Sequence, residues 1–188
     1  MSRVLLHACC GPCASHAVEE LRLGGHDVTI LFANANLAPP GEFERRLAAT
    51  RQLAEYLAVP LLVDPPDHVA WLGAVQGLER EPEGGARCRA CFRYNLGRAA
   101  SWLSRTGCDT FTTSLTISPL KRTADVLAAG QAAGGSQFLP IDFSRNNGFQ
   151  RSVALSKKIG LYRQRDCGCE FSRSPARQKE NAAADVAV

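Results

Sequence analysis

Seven of the eight cysteines in this 188-residue chain fall into three tight groups. Cys9, Cys10 and Cys13 follow the first apolar run, Cys88 and Cys91 lie in mid-chain, and Cys167 and Cys169 come near the end. Thiolates at such spacing ligate soft metal ions and iron–sulfur clusters. With no secretory pattern at the start, the grouping argues for metal ligation in a reducing cytoplasm rather than for a disulfide framework.

Three chemistries compete for these thiols. Cys10-Gly11-Pro12-Cys13 has the form of a thioredoxin dithiol, set between a strand and a helix N-terminus where the helix dipole lowers a thiol pKa, but that leaves five clustered cysteines without a role. A structural zinc ion would take four thiolates and strand the others. Seven thiolates exceed the needs of one cluster and fit one [4Fe–4S] on Cys9, Cys10, Cys88 and Cys91, with a second metal on Cys13, Cys167 and Cys169. Three ligands leave an open coordination position, which a catalytic metal requires. Cys108, alone at a helix–strand junction, reads as a small packed hydrophobe.

Charge points to a partner. The chain carries a net +4, but residues 143–179 hold nine basic side chains, among them Lys157, Lys158 and Arg163, against Asp166 and Glu170, so the remainder is acidic. A basic stretch bracketing a cysteine pair suits a polyanion near the metal, and equally a solvated charged face. No apolar run approaches the roughly 18 residues of a membrane span, so a soluble, cytoplasmic protein with no membrane partner is expected. The length suits one domain over residues 1–174, ending in a frayed Ala-rich tail over 175–188.

The elements that must position the thiols can be read from apolar spacing. Residues 3–8 form a buried strand, and Ala14, Ala17, Val18 and Leu21 mark a helix that stops at Gly24 and Gly25. A second strand covers 28–33. Phe43, Leu47, Ala54 and Leu57 share a helix face, and 61–63 is a third strand. A short helix is expected around 69–78. Phe92, Leu96, Ala99 and Leu103 form another stripe, so Cys88 and Cys91 open a helix. A fourth strand is expected at 110–115, a helix from Ser118 to about Ala133, and a fifth strand at 137–141. Such alternation predicts an α/β fold, Rossmann-like, with a parallel sheet covered by helices on both faces and a metal site beyond the carboxyl ends of the strands.

Taken in order, several runs resemble the epoxyqueuosine reductases of the QueH type. They are residues 5–13, which hold His7 and the first three thiols; 32–37, with Asn34 and Asn36; 42–47; 87–99; 111–115 with 118–119; 138–143; and 161–169. The resemblance implies two-electron removal of the epoxide oxygen of epoxyqueuosine at the tRNA wobble position, the last step of queuosine biosynthesis, without cobalamin. It also implies a [4Fe–4S] cluster beside a mononuclear iron, a tRNA anticodon arm as partner, and a low-potential electron donor that the sequence does not identify. Three positions depart from the family pattern: Cys13 where relatives carry an acidic residue, Ala35 for proline, and Asn95 for arginine.

Such a reaction needs protons at the leaving oxygen. His7 and Asp142 are candidates by position, against the plainer readings of a core histidine and a turn cap. Thr112, Thr113 and Ser118, on a strand-to-helix turn, could bond cluster sulfurs or nucleotide oxygens or simply cap the turn. Tyr162 could stack on a splayed base or pack in the core, and Asn34 and Asn36 could bind the cyclopentene hydroxyls or brace their loop. Arg163, Lys157 and Lys158 are candidate phosphate contacts. An ATP-dependent tRNA sulfur transferase of the PP-loop type is the competing enzyme class, but Cys9 to Cys13 occupy the place of its phosphate loop. A zinc-stabilised RNA-binding module is the non-catalytic alternative.

Overall fold

Val4, Leu6 and Ala8 pack on one side of the first strand with Val28 and Ile30 of the second, while Leu5, Leu31 and Phe111 pack on the other. Strands whose alternate residues are apolar on both sides must be covered on both faces. The computed structural model describes residues 2–172 and shows that arrangement. Its elements are β1 (Arg3–Ala8), α1 (Gly11–Leu23), β2 (Asp27–Phe32), α2 (Pro40–Leu57), β3 (Leu61–Val63), α3 (His68–Ala74), α4 (Ala86–Ser101), α5 (Leu103–Thr106), β4 (Thr110–Thr113), α6 (Thr123–Gly134) and α7 (Gly148–Ile159).

The four strands run parallel in the order β3-β2-β1-β4. Helices α1, α2 and α7 pack together on one face, and α4 with α6 on the other. The chain leaves β1 for β2 on one side and returns to β4 on the other, so the strand order reverses between β1 and β4. A crevice opens at such a switch point beyond the carboxyl ends. There the Cys9 amide donates to Ser114 Oγ at 3.4 Å, tying the loop after β1 to the turn after β4.

Three elements differ from the sequence reading. The expected fifth strand at 137–141 is one bridge, Phe111 to Phe138. Pro140 has no N–H for a ladder, and threonine hydroxyls take the carbonyls instead: Thr112 Oγ1 donates to Leu139 O at 2.8 Å and Thr116 Oγ1 to Ile141 O at 3.1 Å. The fourth strand ends at Thr113, followed by a 3-10 turn over Ser114–Ile117. The next helix begins at Thr123 rather than Ser118, because residues 118–121 close a turn in which the Lys121 amide donates to Ser118 O at 3.1 Å.

Helix α7, unmarked in the reading, turns small residues inward: Gly148, Ser152 and Ser156 are buried. A Cβ at Gly148 would meet Phe143 O at 1.9 Å and His16 Cδ2 at 2.9 Å, so only glycine lets this helix seat beside α1. No helix among the described residues is long and apolar enough to cross a membrane. The tail at 175–188 and the basic Arg173, Arg177 and Lys179 lie outside the described residues.

Candidate metal centre

The first thiol group is built by the main chain. Cys9 follows β1 directly, and Cys10 caps α1 in an extended conformation, its Sγ accepting the Cys13 amide at 3.3 Å. Pro12 fits the first helical turn, where its missing N–H costs nothing. The sulfurs of Cys9, Cys10 and Cys13 lie within 4.8 Å of one another. A Cβ at Gly11 would stand 2.6 Å from Ala49 O on α2, so the loop is pressed against a second helix.

Cys88 and Cys91 sit one turn apart on α4 and share a face, as side chains at i and i+3 must. The Gly84 amide donates to Cys88 Sγ at 3.2 Å. Buried Arg87 secures the preceding loop, donating to the carbonyls of Glu79 and Glu81. Cys167 and Cys169 lie on a coil that follows α7. Its Gln164 Nε2 reaches Cys10 Sγ at 2.8 Å, linking the last cysteine segment to the first.

One cavity of ≈ 200 Å³ gathers these groups. Its walls include Cys9, Cys13, Cys88, Cys91, Cys167 and Cys169, with Cys10 beside them. Cys108 packs partly buried against the apolar layer on the α4 side, apart from this cavity.

Electrostatics show what such a cavity requires. Hydrogen bonds from Cys10 and Cys13 hold the Cys9 thiol well below its ordinary value; burial pushes Cys10 up to about 12, and Cys13, donating to its neighbours, also rises. Cys167 is lowered to about 6 by the hydrogen bond from Cys169, which is raised in turn, and burial pushes Cys91 up to about 12. In the first and last groups one sulfur favours the charged form while its neighbours favour the protonated one; on α4 burial raises both Cys88 and Cys91. A bound cation releases those protons and lets every thiol ligate.

The surroundings fit a sulfur-rich group with net negative charge. Lys121 lines the cavity, its ammonium held in the charged form against burial by Cys9, Cys167 and Cys13. Trp71, fully buried in the same packing cluster as Cys91 and Cys169, has an indole N–H without an oxygen or nitrogen partner. Hydrogen bonds to ligand sulfurs and nearby positive charge are what tune such clusters.

The other sequence candidates separate by position. His7, Asn34, Asn36, Ser118 and Arg163 line the cavity. His7 has both ring nitrogens engaged, with Thr113 Oγ1 at 2.8 Å and Ala33 O at 2.9 Å, and burial lowers its pKa, so it is neutral. Asn34 Nδ2 donates to Ala8 O at 2.8 Å. Asn36 Oδ1 accepts from Asn95 Nδ2 at 3.1 Å, and Asn95 also holds the Ala35 amide, joining two positions that depart from the family pattern. Ser118 Oγ accepts from the Leu120 amide at 3.3 Å.

Thr112 and Thr113 are fully buried and bonded internally. The Tyr162 hydroxyl donates to Glu42 Oε2 at 2.8 Å, and Arg45 lies over its ring. Asp142 caps a turn through Ser144, outside the cavity walls. Lys157 and Lys158 are exposed on the last turn of α7, also outside them. Sequence reasoning missed Lys121, Arg46, Trp71 and Gln164. Two of these, Arg46 and Gln164, stood inside the resembling runs 42–47 and 161–169.

Comparison with known proteins agrees with this chemistry. Residues 4–175 match the family model described as epoxyqueuosine reductase QueH. An epoxyqueuosine reductase QueH from Streptococcus pyogenes serotype M1 is 39% identical over 180 residues, spanning 90% of this chain and 69% of that protein. The one from Thermotoga maritima is 30% identical over 185 residues, spanning 95% of this chain and 94% of that protein. Among solved structures, the U34-tRNA thiolase NcsA from Methanococcus maripaludis, determined with its [4Fe-4S] cluster, superposes with a TM-score of 0.53 at 10% identity, covering 98% of this chain and 66% of that one. That likeness is one of fold. By the match to its family model and by its relatives, the chain belongs to the epoxyqueuosine reductase QueH family.

Proposed function

We infer that this chain reduces epoxyqueuosine in tRNA to queuosine. The reaction takes two electrons and two protons, breaks both C–O bonds of the epoxide, forms the alkene and releases water. The observation that carries the reading is the convergence of six thiols on one cavity, with a seventh beside them, in a chain of this family.

Cys9, Cys10, Cys88 and Cys91 would hold a [4Fe–4S] cluster, and Cys13, Cys167 and Cys169 a mononuclear iron with one position free. When bound, the cluster supplies electrons singly and the iron supplies a Lewis acid toward the epoxide oxygen. The chain's own groups do the rest. Lys121 brings a positive charge to the cavity wall and would stabilise and protonate the leaving oxygen. His7, neutral and held on both sides, orients Thr113 and the loop after β2 rather than delivering a proton. Asp142, on its turn outside the walls, is left as a cap. Asn34 and Asn36, on the cavity wall, would meet the cyclopentene hydroxyls, and Ser118, also on the wall, would meet the nucleotide.

The anticodon arm would lie across the mouth on Arg163 and Arg165, with Lys157 and Lys158 taking phosphates farther out. The reading implies work in the cytoplasm with a low-potential electron donor. The fold is shared with a tRNA thiolase, but after β1 this chain carries Cys9, Cys10 and Cys13 where the competing ATP-dependent class would need a phosphate loop, which favours direct reduction over adenylation.

Anaerobically reconstituted protein, given a low-potential reductant and tRNA carrying epoxyqueuosine, should yield queuosine without ATP or cobalamin, seen by nucleoside mass spectrometry as loss of one oxygen. Fully loaded protein that leaves the nucleoside untouched, or an obligatory need for ATP, contradicts the assignment.

A further inference from the structure

Cys167 and Cys169 hang on residues 161–169, which form neither helix nor strand. A coil that carries two metal ligands must be fixed by something other than a backbone ladder. The fixing contacts come from one buried ion pair on α2. Arg46, 2% exposed, donates from Nη1 to Cys167 O at 3.1 Å and from Nη2 to Asp166 O at 3.0 Å, while its Nε meets Glu42 Oε1 at 2.5 Å. A single guanidinium therefore binds two successive carbonyls and the Glu42 carboxylate, with Asp166 Oδ1 3.7 Å from its Nη2.

The neighbouring contacts close the grip. The Ala38 amide donates to Gly168 O at 3.0 Å, and the Gly168 amide to Asp166 Oδ1 at 2.8 Å. Gly168 has a φ of 84°, and a Cβ there would stand 2.5 Å from Leu37 Cδ2 and 2.8 Å from Arg46 Nη2, so the loop lies flat against the guanidinium. Glu42 also accepts from the Tyr162 hydroxyl, which ties the start of the coil to the same carboxylate.

A pair this deeply buried is poor value as mere stability, since desolvating two charges offsets much of their attraction and an apolar pair would pack as well. What an apolar pair lacks is a planar fork that holds two carbonyls at once, and lysine lacks it too. We propose that Arg46, braced by Glu42, is the positioning residue that aims Cys167 and Cys169 into the cavity and so sets occupancy of the second metal. The metal half of this statement rests on the two-metal reading above.

The test compares wild-type protein with Arg46→Lys, and with Glu42→Gln as a second variant should the first fail to fold. In metal-free protein, amide exchange at Gly168 and Cys169 should quicken at least about ten-fold in the variants, while Cys13 and Ala14 exchange as in wild type. After anaerobic reconstitution the variants should keep the cluster's Mössbauer signal and lose most of the signal of the additional iron, with kcat down by about 10- to 100-fold and tRNA affinity unchanged. Unchanged exchange at 168–169 overturns the clamp. A wild-type iron spectrum in an exchange-softened variant overturns its role toward the metal. If wild-type protein itself holds no iron beyond the cluster, the two-metal reading fails with the metal half of the proposal, and the exchange arm still decides the clamp.

Discussion

The first and last cysteine groups share a cavity but reach it by different means. Cys9, Cys10 and Cys13 are set by the end of a central strand, a helix cap and a first helical turn, with an α1–α2 approach that admits only glycine at position 11. Cys167 and Cys169 stand on a coil whose place is set by side chains on α2 that are far away in sequence. The first set is preorganised by main-chain geometry, and the second by side-chain contacts centred on one guanidinium. Rigid elements hold ligands more closely than loops do, so the cluster should form on Cys9 and Cys10 with Cys88 and Cys91 of α4, and the adjustable, exchangeable metal on Cys13 with the coil's Cys167 and Cys169.

The largest effects should come from the ligands themselves. Cys88→Ala should abolish both turnover and the visible iron–sulfur absorption, whereas Cys167→Ala or Cys169→Ala should abolish turnover and leave much of the absorption. Spectra and activities of the three variants check this, and equal loss of absorption in all three would break the partition between the two regions.

A glycine pair sharpens the comparison on stability. Gly11→Ala drives a Cβ into the main chain of α2 and should cost about 1–3 kcal/mol by chemical denaturation. Gly168→Ala meets the ends of the Leu37 and Arg46 side chains instead, at a φ of 84°. It should disturb the second metal more than the fold, read as lost iron at nearly unchanged sulfide. A reversal of the two outcomes would mean that the coil, not the strand-loop-helix, anchors the structure.

How much of this was legible depended on which physical rule built each part. The first three strands, the two helices beside them and the position of Cys88 and Cys91 at a helix start followed from apolar period and turn residues, because those elements bury large side chains. Helix α7 did not, because its inward face is Gly148, Ser152 and Ser156, and close approach replaces an apolar stripe. The expected fifth strand failed where Pro140 and two threonine hydroxyls took over the hydrogen bonding. The grouping of the thiols, six of which line one cavity, was legible from their spacing. Arg46, Lys121, Trp71 and Gln164 were not, since their roles depend on contacts across sequence separations that no local pattern encodes.

A smaller effect concerns acid. Burial alone would raise the Glu42 pKa, but the charge of Arg46 and hydrogen bonds from Arg46, Tyr162 and Arg45 outweigh it, so the folded value lies below 4.5. Its contribution to stability is therefore present above the unfolded value and is lost as pH falls through the folded one. Metal-free protein should lose stability below about pH 4.5, and Glu42→Gln should flatten that part of the curve. Urea titrations between about pH 3 and 7 measure it; an unaltered slope in the variant would remove Glu42 from the clamp's electrostatics.

The central claim is that two differently held thiol sets in one cavity carry two metal groups. Iron and sulfide quantitation with Mössbauer spectroscopy on anaerobically reconstituted protein tests it most directly. The account predicts about four sulfides and more than four irons per chain, with one iron spectroscopically distinct from the cluster. A single zinc without sulfide, or four irons with no distinct fifth, would contradict it.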